Sequence, residues 1–281
     1  MDLRIATCQP LPEPDVDEEI LLDALRARGI AARMAAWNDP AERWDERVPT
    51  VIRSTWDYIH DLPGFAHWIE RAEGAGPLWN PARIVLANLH KRYLLDLEQR
   101  GVAIVPTVVL ERGSHALLAT ISAARGWNDV VVKPAVGAGS FATERFRSGA
   151  FAHGDAHLAA LLADRDVLVQ SYEPSVEGHG ERALVWIDGA FTHAVRKSPR
   201  FGADPERVSE AIAIEADELV LGERVLEPHA AELLYARVDV ARGPDGAPRV
   251  MELELVEPSL FLRQSRTALE RLANGLARRL S

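Results

Sequence analysis

The sequence is poor in cysteine and has no long apolar segment. Its 281 residues include one cysteine, Cys8, which excludes an intrachain disulfide and a cysteine-rich zinc site. No stretch approaches the roughly 20 apolar residues that span a bilayer. The first residues also lack the basic and apolar regions of a secretory signal. We therefore expect a cytoplasmic protein that has no membrane partner.

Lysine is scarce as well. The chain carries 29 arginines but only three lysines, Lys91, Lys133 and Lys197, and its net charge is −10. The acidic balance argues against a nucleic-acid partner, because binding to phosphates needs a basic stripe. A compact ammonium group is retained where a planar guanidinium cannot replace it, so the three lysines are candidates for a functional site. The alternative is that they are residual surface lysines.

The length of the chain favours two or three packed subdomains. The first 85 or so residues alternate between predicted strands (3–7, 30–36 and 50–53) and predicted helices (18–28 and 65–72). This alternation indicates a small parallel sheet, which binds ligands at the carboxyl ends of its strands. The third strand ends in a polar and aromatic cluster. We therefore expect substrate contacts from Arg53, Ser54, Thr55, Trp56 and Tyr58, although Trp56 and Tyr58 fit a place in the core equally well.

The remainder of the chain mixes helices with hairpins. Its spacing predicts a helix at 86–100 that ends at Gly101, strands at 102–110, 130–133 and 167–170, and a closing amphipathic helix at 265–280. Asp188-Gly189 is a strong hairpin signal between strands at 182–187 and 191–195. A second turn at 243–246 joins strands at 237–240 and 249–256.

The first chemical motif is a lysine at the end of an apolar strand, followed by a loop of small residues. Lys133 ends the run of valines that begins at Val130, and Gly137-Ala138-Gly139-Ser140 follows. Glycines let backbone N–H groups approach anionic oxygens closely. The order differs from that of a Walker-type P-loop, so a glycine-rich hairpin loop over nucleotide phosphates fits better. An ordinary flexible turn is the alternative.

The second motif is a set of three carboxylates on a predicted hairpin. Glu252 and Glu254 are two residues apart, so they face the same side of their strand, and the partner strand can bring Asp239 beside them. Three converging carboxylates repel one another unless a cation binds. Hard oxygen ligands suit Mg²⁺ or Mn²⁺, whereas solvated acids on an exposed face are the alternative.

The third motif is an apolar strand that runs into a polar linker, Gln170-Ser171-Tyr172-Glu173. Such a linker can offer backbone N–H and C=O groups to an adenine edge. By itself it is also consistent with an ordinary strand end.

In chain order, these motifs resemble the ATP-grasp superfamily over about residues 80–260. The resemblance is carried by Asn88-x-x-Lys91, Lys133-Pro134 with Gly137–Ser140, Gln170-Ser171-Tyr172, Gly180-Glu181, Arg237-x-Asp239 and Glu252-x-Glu254. It implies an α/β protein in which a small parallel pre-ATP-grasp domain precedes a two-lobed α+β ATP-grasp domain. The expected boundaries are 1–85 for the pre-ATP-grasp substrate-binding domain, 86–170 for the N-lobe, and 171–281 for the C-lobe with the metal site.

The resemblance also implies roles for individual residues. Lys91 and Lys133 match the lysines that hold the α- and β-phosphates of ATP, and residues 137–140 match the mobile loop over the β- and γ-phosphates. Residues 170–173 match the adenine linker, and Glu181 matches the acid on the ribose hydroxyls. Asp239, Glu252 and Glu254 match the metal ligands, and Arg237 and Lys197 match the cations that act on the transferred phosphoryl group.

The activity implied is an ATP-dependent carboxylate–amine ligase that acts on a small amino-acid-like substrate through an acyl phosphate, with ATP and Mg²⁺ or Mn²⁺. Segments 12–15, 53–58, 91–94 and 251–260 are similar to ring-closing cyclo-ligases of the superfamily, which extends the expectation to closure within one molecule. Those relatives are glycine-rich after the lysine equivalent to Lys197, whereas this chain is not, so Arg207 is expected to replace their substrate-facing arginine. A kinase that phosphorylates a hydroxyl, a non-catalytic ATP-binding module and a homodimeric assembly stay open.

Overall fold

The computed structural model describes residues 2–198 and 207–281, in which twelve strands form three four-stranded sheets. The α/β character expected from the sequence is therefore present. Residues 199–206, where this chain departs from the cyclo-ligases, lie outside the described residues. Within the described part of the chain, no helix combines the length and apolar character needed to cross a membrane.

The first sheet is parallel and is built from the first 79 residues. Its elements are β1 (Asp2–Thr7), α1 (Glu18–Arg26), β2 (Ala31–Ala36), β3 (Thr50–Ser54), α2 (Leu62–Ala75) and β4 (Leu78–Trp79). The strand order is β2-β1-β3-β4, with every neighbouring pair parallel. The alternation of strands and helices predicted from the sequence is correct. The short edge strand β4 was not predicted, because two residues carry no periodicity.

Two short helices lead out of the first sheet, namely α3 (Ala82–Asn88) and α4 (Tyr93–Gln99). The prediction of a single helix over 86–100 is therefore wrong. The chain turns at Lys91, whose backbone N–H donates to the Ala135 carbonyl oxygen at 2.8 Å. Because the apolar stripe continues across the break, the periodicity alone could not reveal it.

The second sheet is antiparallel and has a core of its own. Its elements are β5 (Thr107–Leu110), α5 (Leu118–Arg125), β6 (Val130–Pro134), β7 (Glu144–Phe146), α6 (Phe151–Leu162) and β8 (Val167–Ser171). The strand order is β5-β8-β6-β7. Both helices pack on one face, where Leu118, Leu158 and Leu162 meet Val130, Val132 and Val169.

The third sheet is also antiparallel, but it is covered on both faces. Its elements are α7 (Ser175–Gly178), β9 (Glu181–Ile187), β10 (Ala190–Lys197), α8 (Ala216–Leu226), β11 (Tyr235–Arg242), β12 (Pro248–Glu254) and α9 (Arg266–Leu280). The strand order is β10-β9-β11-β12. Because layers cover both faces, β9 is apolar nearly throughout instead of alternating.

The two faces of the third sheet belong to different cores. Leu184 and Trp186 of β9 face α4 and α8. Val185 and Ile187 face α9 and also reach Leu3 and Ile5 of the first sheet. The first and third sheets are therefore joined by one continuous hydrophobic core.

Candidate functional site

A cavity of about 830 Å³ lies where the three sheets meet. Its wall is formed by the loops after β1 and β3, the loop between β6 and β7, the end of β8, the start of β9, and β11 with β12. All three lysines of the chain line this cavity.

The hairpin of β11 and β12 brings the three predicted carboxylates together. Asp239 pairs with Glu252, and Arg237 pairs with Glu254, across the two strands. Glu252 and Glu254 face the cavity, whereas Asp239 is fully buried behind Lys197 and Arg237. The acids thus face inward, as the register of the hairpin requires.

Each of these acids is paired with a cation. Lys133 Nζ lies 2.5 Å from Glu252 Oε1, and Lys91 Nζ lies 3.5 Å from Glu252 Oε2. Arg237 donates to both Asp239 oxygens, at 2.8 and 2.9 Å, and contacts Glu254 at 2.5 Å. Cations and carboxylates therefore alternate along one wall.

Lys197 joins the predicted ribose-binding acid to the carboxylate group. Its Nζ lies 2.7 Å from Glu181 Oε1 and 3.1 Å from Asp239 Oδ2. The last residue of β10 is thus placed at the centre of the cleft, because β10 and β11 flank β9 on either side.

Burial and neighbouring charges affect the pKa values of these acids to different extents. Burial opposes ionisation of Glu252, but Lys133 and Lys91 outweigh it and hold the pKa of Glu252 below its usual range. Similarly, Arg237 and Lys197 overcome burial and lower the pKa of Asp239 to about 2. Burial prevails at Glu254, where Arg237 offsets it only in part, and raises the pKa to about 7.

The small-residue loop after β6 covers the cavity. Gly139 has a φ of 57°, a left-handed conformation that glycine adopts at little cost. Lys91 Nζ donates to the Gly137 carbonyl oxygen at 3.0 Å. Because Lys91 also pairs with Glu252, it connects the loop to the carboxylates of β12. At the tip of the loop, the Phe141 ring contacts His60 from the first sheet, with ring centroids 5.9 Å apart.

The structure brings all of the predicted nucleotide-binding residues to the wall of this one cavity. They are Lys91, Lys133, Gly137, Ala138, Gly139, Ser140, Gln170, Ser171, Tyr172, Glu173 and Glu181. Tyr172 lies directly after β8, and the guanidinium group of Arg145 on β7 stacks over its ring, 3.4 Å from the ring centroid. The Gln170 side chain donates to Thr107 Oγ1 at 2.8 Å.

The predicted substrate-binding residues divide into two groups. Trp56 and Tyr58 line the cavity, and the Tyr58 ring also stacks on Phe65 in the core, with centroids 4.9 Å apart. Tyr58 therefore contributes both to the cavity wall and to the core.

Arg53, Ser54, Thr55 and Arg207 do not line the cavity, which corrects the expectation that they contact substrate. Arg53, Ser54 and Thr55 are almost completely buried. Arg53 donates to the Pro258 carbonyl oxygen and Ser54 donates to Thr7 Oγ1. Every residue of β3 is buried, so the side chains at its end lie in the core and not in the cleft. Arg207 is exposed on the surface.

Glu257 and Tyr93 are among the cavity-lining residues that were not assigned a role from the sequence. The carboxyl group of Glu257 lines the cavity, and burial, followed by the charge of Glu254, raises its pKa to about 8. The hydroxyl group of Tyr93 accepts a hydrogen bond from the Leu253 N–H at 3.1 Å. If the strand continued, Glu257 would face the side opposite to Glu254, because residues three apart in a strand point in opposite directions. However, β12 ends at Glu254, so parity no longer applies beyond it.

Known proteins resemble this chain in both sequence and fold. Residues 3–80 match the sequence family described as D-cycloserine synthetase DcsG, N-terminal domain. The chain is 34% identical to the cycloserine biosynthesis protein DcsG of Streptomyces lavendulae over 95% of this chain and 94% of that protein. The crystal structure of D-cycloserine synthetase DcsG has a TM-score of 0.91 at 34% identity, with both chains fully covered.

A more distant structure shows the same fold. The D-alanine–D-alanine ligase of Bacillus anthracis has a TM-score of 0.69 at 16% identity, covering 100% of this chain and 98% of that one.

Proposed function

This chain belongs to the D-cycloserine synthetase DcsG family of ATP-grasp ligases, and from that premise we propose that it uses ATP to join a carboxylate to an amine within one small amino-acid-like molecule. The observation that carries the proposal is the convergence of all three lysines with Glu252 and Glu254 on one cavity, with Asp239 directly behind Lys197. The family resemblance found in the sequence is confirmed by these comparisons, including the similarity to a cyclo-ligase of D-cycloserine biosynthesis.

The proposed nucleotide site uses one wall of the cavity. Lys91 and Lys133 bind the α- and β-phosphates, and the loop at 137–140 covers the β- and γ-phosphates. The linker at 170–173 takes the adenine, and Glu181 takes the ribose hydroxyls. Their shared position on the cavity wall supports these roles.

The donor set at the end of the cavity fits a hard divalent cation. Asp239, Glu252 and Glu254 offer carboxylate oxygens, with neither a thiolate nor an imidazole among them, and this is the ligand type that Mg²⁺ prefers. When bound there, Mg²⁺ supplies charge neutralisation of the phosphate oxygens; Mn²⁺ is the alternative ion. The surrounding cations compensate these acids in the structure described here.

The proposed mechanism has two steps. First, an oxygen of the substrate carboxylate attacks the γ-phosphorus of ATP, the bond to ADP breaks, and an acyl phosphate forms. Arg237 and Lys197 stabilise the charge on the phosphoryl group during transfer. Second, a nitrogen of the same molecule other than its α-ammonium group attacks the acyl carbon, the bond to phosphate breaks, and the attacking nitrogen loses a proton.

Closure within one molecule is favoured by proximity, provided that the site excludes water. The loop at 137–140, tied to Lys91 and capped by Phe141, is suited to such exclusion. We further propose that residues 1–85 form the substrate domain, 86–170 the N-lobe and 171–281 the C-lobe, since each sheet falls within one of these ranges except for Ser171, the last residue of β8.

The experiment is an ADP-release assay with O-ureido-D-serine, the substrate of the cyclo-ligases that the sequence resembles, in the presence of ATP and Mg²⁺. We expect ADP release without any added amine, and we expect hydroxylamine to trap a hydroxamate from the acyl phosphate. A stable phosphoester would instead indicate a kinase. ATP binding without ADP release from any amino acid would indicate a non-catalytic module.

The variant Glu252→Gln tests whether the carboxylates of the β11–β12 hairpin take part in the reaction. We expect turnover to fall at least about 100-fold, because one charge that organises the phosphoryl-transfer site is removed, while the thermal unfolding temperature stays near that of the native protein. Glu223→Gln is the matched control, since Glu223 is exposed on α8. Near-native turnover of Glu252→Gln would exclude a role for this carboxylate.

A further inference from the structure

The segment directly after β12 is held by side chains at four consecutive carbonyl groups. The Tyr235 hydroxyl lies 2.8 Å from the Val256 oxygen, and Trp56 Nε1 donates to the Glu257 oxygen at 3.2 Å. Arg53 donates to the Pro258 oxygen at 2.7 Å, and Arg237 donates to the Ser259 oxygen at 3.3 Å. These donors come from the first and third sheets. We call residues 256–259 the anchored segment.

The anchored segment presents one ionisable side chain to the cavity, that of Glu257. The other carboxylates of the wall have partners, such as Lys133 for Glu252 and Arg237 for Glu254. Among the described residues, no cation lies within salt-bridge distance of the Glu257 carboxylate, whose hydrogen bond comes from its own backbone N–H. The Glu257 side chain is partly buried, and a carboxylate in a cleft without a compensating cation is costly.

We propose that Glu257 binds the ammonium group of the amino-acid substrate and thereby selects amino acids over carboxylates that lack this group. The inference rests on the proposed ligase function, because that function places the reacting carboxylate beside Arg237. Arg237 contacts both Glu254 and the Ser259 carbonyl, so it lies between the proposed metal ligands and the anchored segment. An α-amino acid carries its ammonium group one carbon from its carboxylate, and Glu257 lies near enough to Arg237 for the charge of Arg237 to act on it.

Arg53 and Trp56 are then positioning residues. The sequence pattern suggested that they contact substrate, but Trp56 donates to the Glu257 carbonyl oxygen and Arg53 donates to the carbonyl oxygen of the next residue, Pro258. They fix the backbone of the anchored segment from the first sheet, and so hold the Glu257 side chain ready for its ligand. Preorganisation of this kind lowers the conformational entropy that binding would otherwise cost.

Calorimetric binding tests the proposal without requiring turnover. Two probes are titrated into the protein with Mg²⁺ and the non-hydrolysable analogue AMPPNP: O-ureido-D-serine, and the same molecule with a hydroxyl group in place of the ammonium group. We expect the native protein to bind the first probe about 10- to 100-fold more tightly, the range expected for one charge-assisted hydrogen bond. Glu257→Gln should remove this preference without lowering AMPPNP affinity.

A second variant tests the positioning role. Trp56→Phe removes the donor to the Glu257 carbonyl and keeps an aromatic ring, so we expect the preference to fall by roughly 5-fold, as for loss of one neutral hydrogen bond. Glu223→Gln is again the control for the exchange of glutamate for glutamine.

The outcomes separate this inference from the proposed function. Equal binding of both probes by the native protein, failure of both to bind, or a preference retained in Glu257→Gln would overturn the inference. A weaker dependence on Mg²⁺ with the preference retained would assign Glu257 to the metal instead, which also overturns it. Selective binding that Glu257→Gln abolishes, but without ADP release, would support the inference while rejecting the ligase function.

Discussion

At the scale of single residues, Asp239, Glu252 and Glu254 each have a cationic partner, whereas a buried histidine outside the cleft wall has no such compensation. His193 on β10 is 5% exposed, and its Nε2 has no hydrogen-bond partner. Burial lowers its pKa to about 4. In the unfolded chain an imidazole titrates near 6.5, so folding disfavours the protonated form.

His193 should therefore make stability depend on pH. Between about pH 6.5 and 4 the unfolded chain binds more protons at this position than the native protein does, so stability falls as the pH falls. The loss is about 2 kcal/mol between pH 7 and pH 5. We expect urea unfolding of His193→Gln to depend less steeply on pH in this interval than unfolding of the native protein.

The control for this measurement is His115→Gln, at an exposed position. The contribution of His193 is read from the change in slope, which is independent of any loss of stability that the substitution causes at pH 7. Equal slopes for His193→Gln and the native protein would contradict the prediction.

At the scale of elements, the strands and their pairing were largely predictable, whereas helix breaks and side-chain bridges were not. The hairpin of β11 and β12 follows from its turn and from the spacing of Glu252 and Glu254, so the convergence of the acids could be predicted. The break at Lys91 could not, because it depends on a tertiary hydrogen bond to Ala135. The inward turn of Arg53 likewise depends on Pro258, which is 205 positions away in the sequence.

Asn88 shows how such a bridge supports the site. At the end of α3, its side chain donates to the Leu253 carbonyl oxygen at 3.0 Å and accepts from the Leu255 N–H at 2.8 Å. The amide thus takes the place of a neighbouring strand along the end of β12, on either side of Glu254.

We expect Asn88→Ala to destabilise the protein by about 2 to 4 kcal/mol, because a buried donor and a buried acceptor of the backbone lose their partners. Urea unfolding measures the change. Asn274→Ala removes an exposed hydrogen bond to Arg28 and should change stability by less than about 0.5 kcal/mol. If both variants lose equally little, the Asn88 bridge contributes nothing to stability.

At the scale of the whole molecule, the cores divide the three sheets unequally. The first and third sheets share one apolar cluster through α9, in which Leu3 and Ile5 meet Val185 and Ile187. The second sheet packs on α5 and α6 as a cluster of its own, and beyond that cluster it contributes Leu168 of β8 to the core around α4 and α8. Cooperative units of unfolding commonly follow such divisions.

We therefore expect native-state hydrogen exchange to detect two levels of opening. Amides of β1 and β9 should exchange with the same free energy, close to that of global unfolding. Amides of β6 and β8 should exchange through an opening of lower free energy, because their core can separate while the shared core stays intact. Equal free energies for all four strands would show a single cooperative unit.

The placement of all three lysines in one cavity has a practical consequence. Their side chains are 12%, 7% and 15% exposed, and the rest of the chain's side-chain positive charge is carried by arginine and histidine. A reagent that acylates amines therefore finds its lysine targets inside the cleft alone. The rate at which mass is added to these three positions reports directly on occupancy of the cleft, with no engineered label.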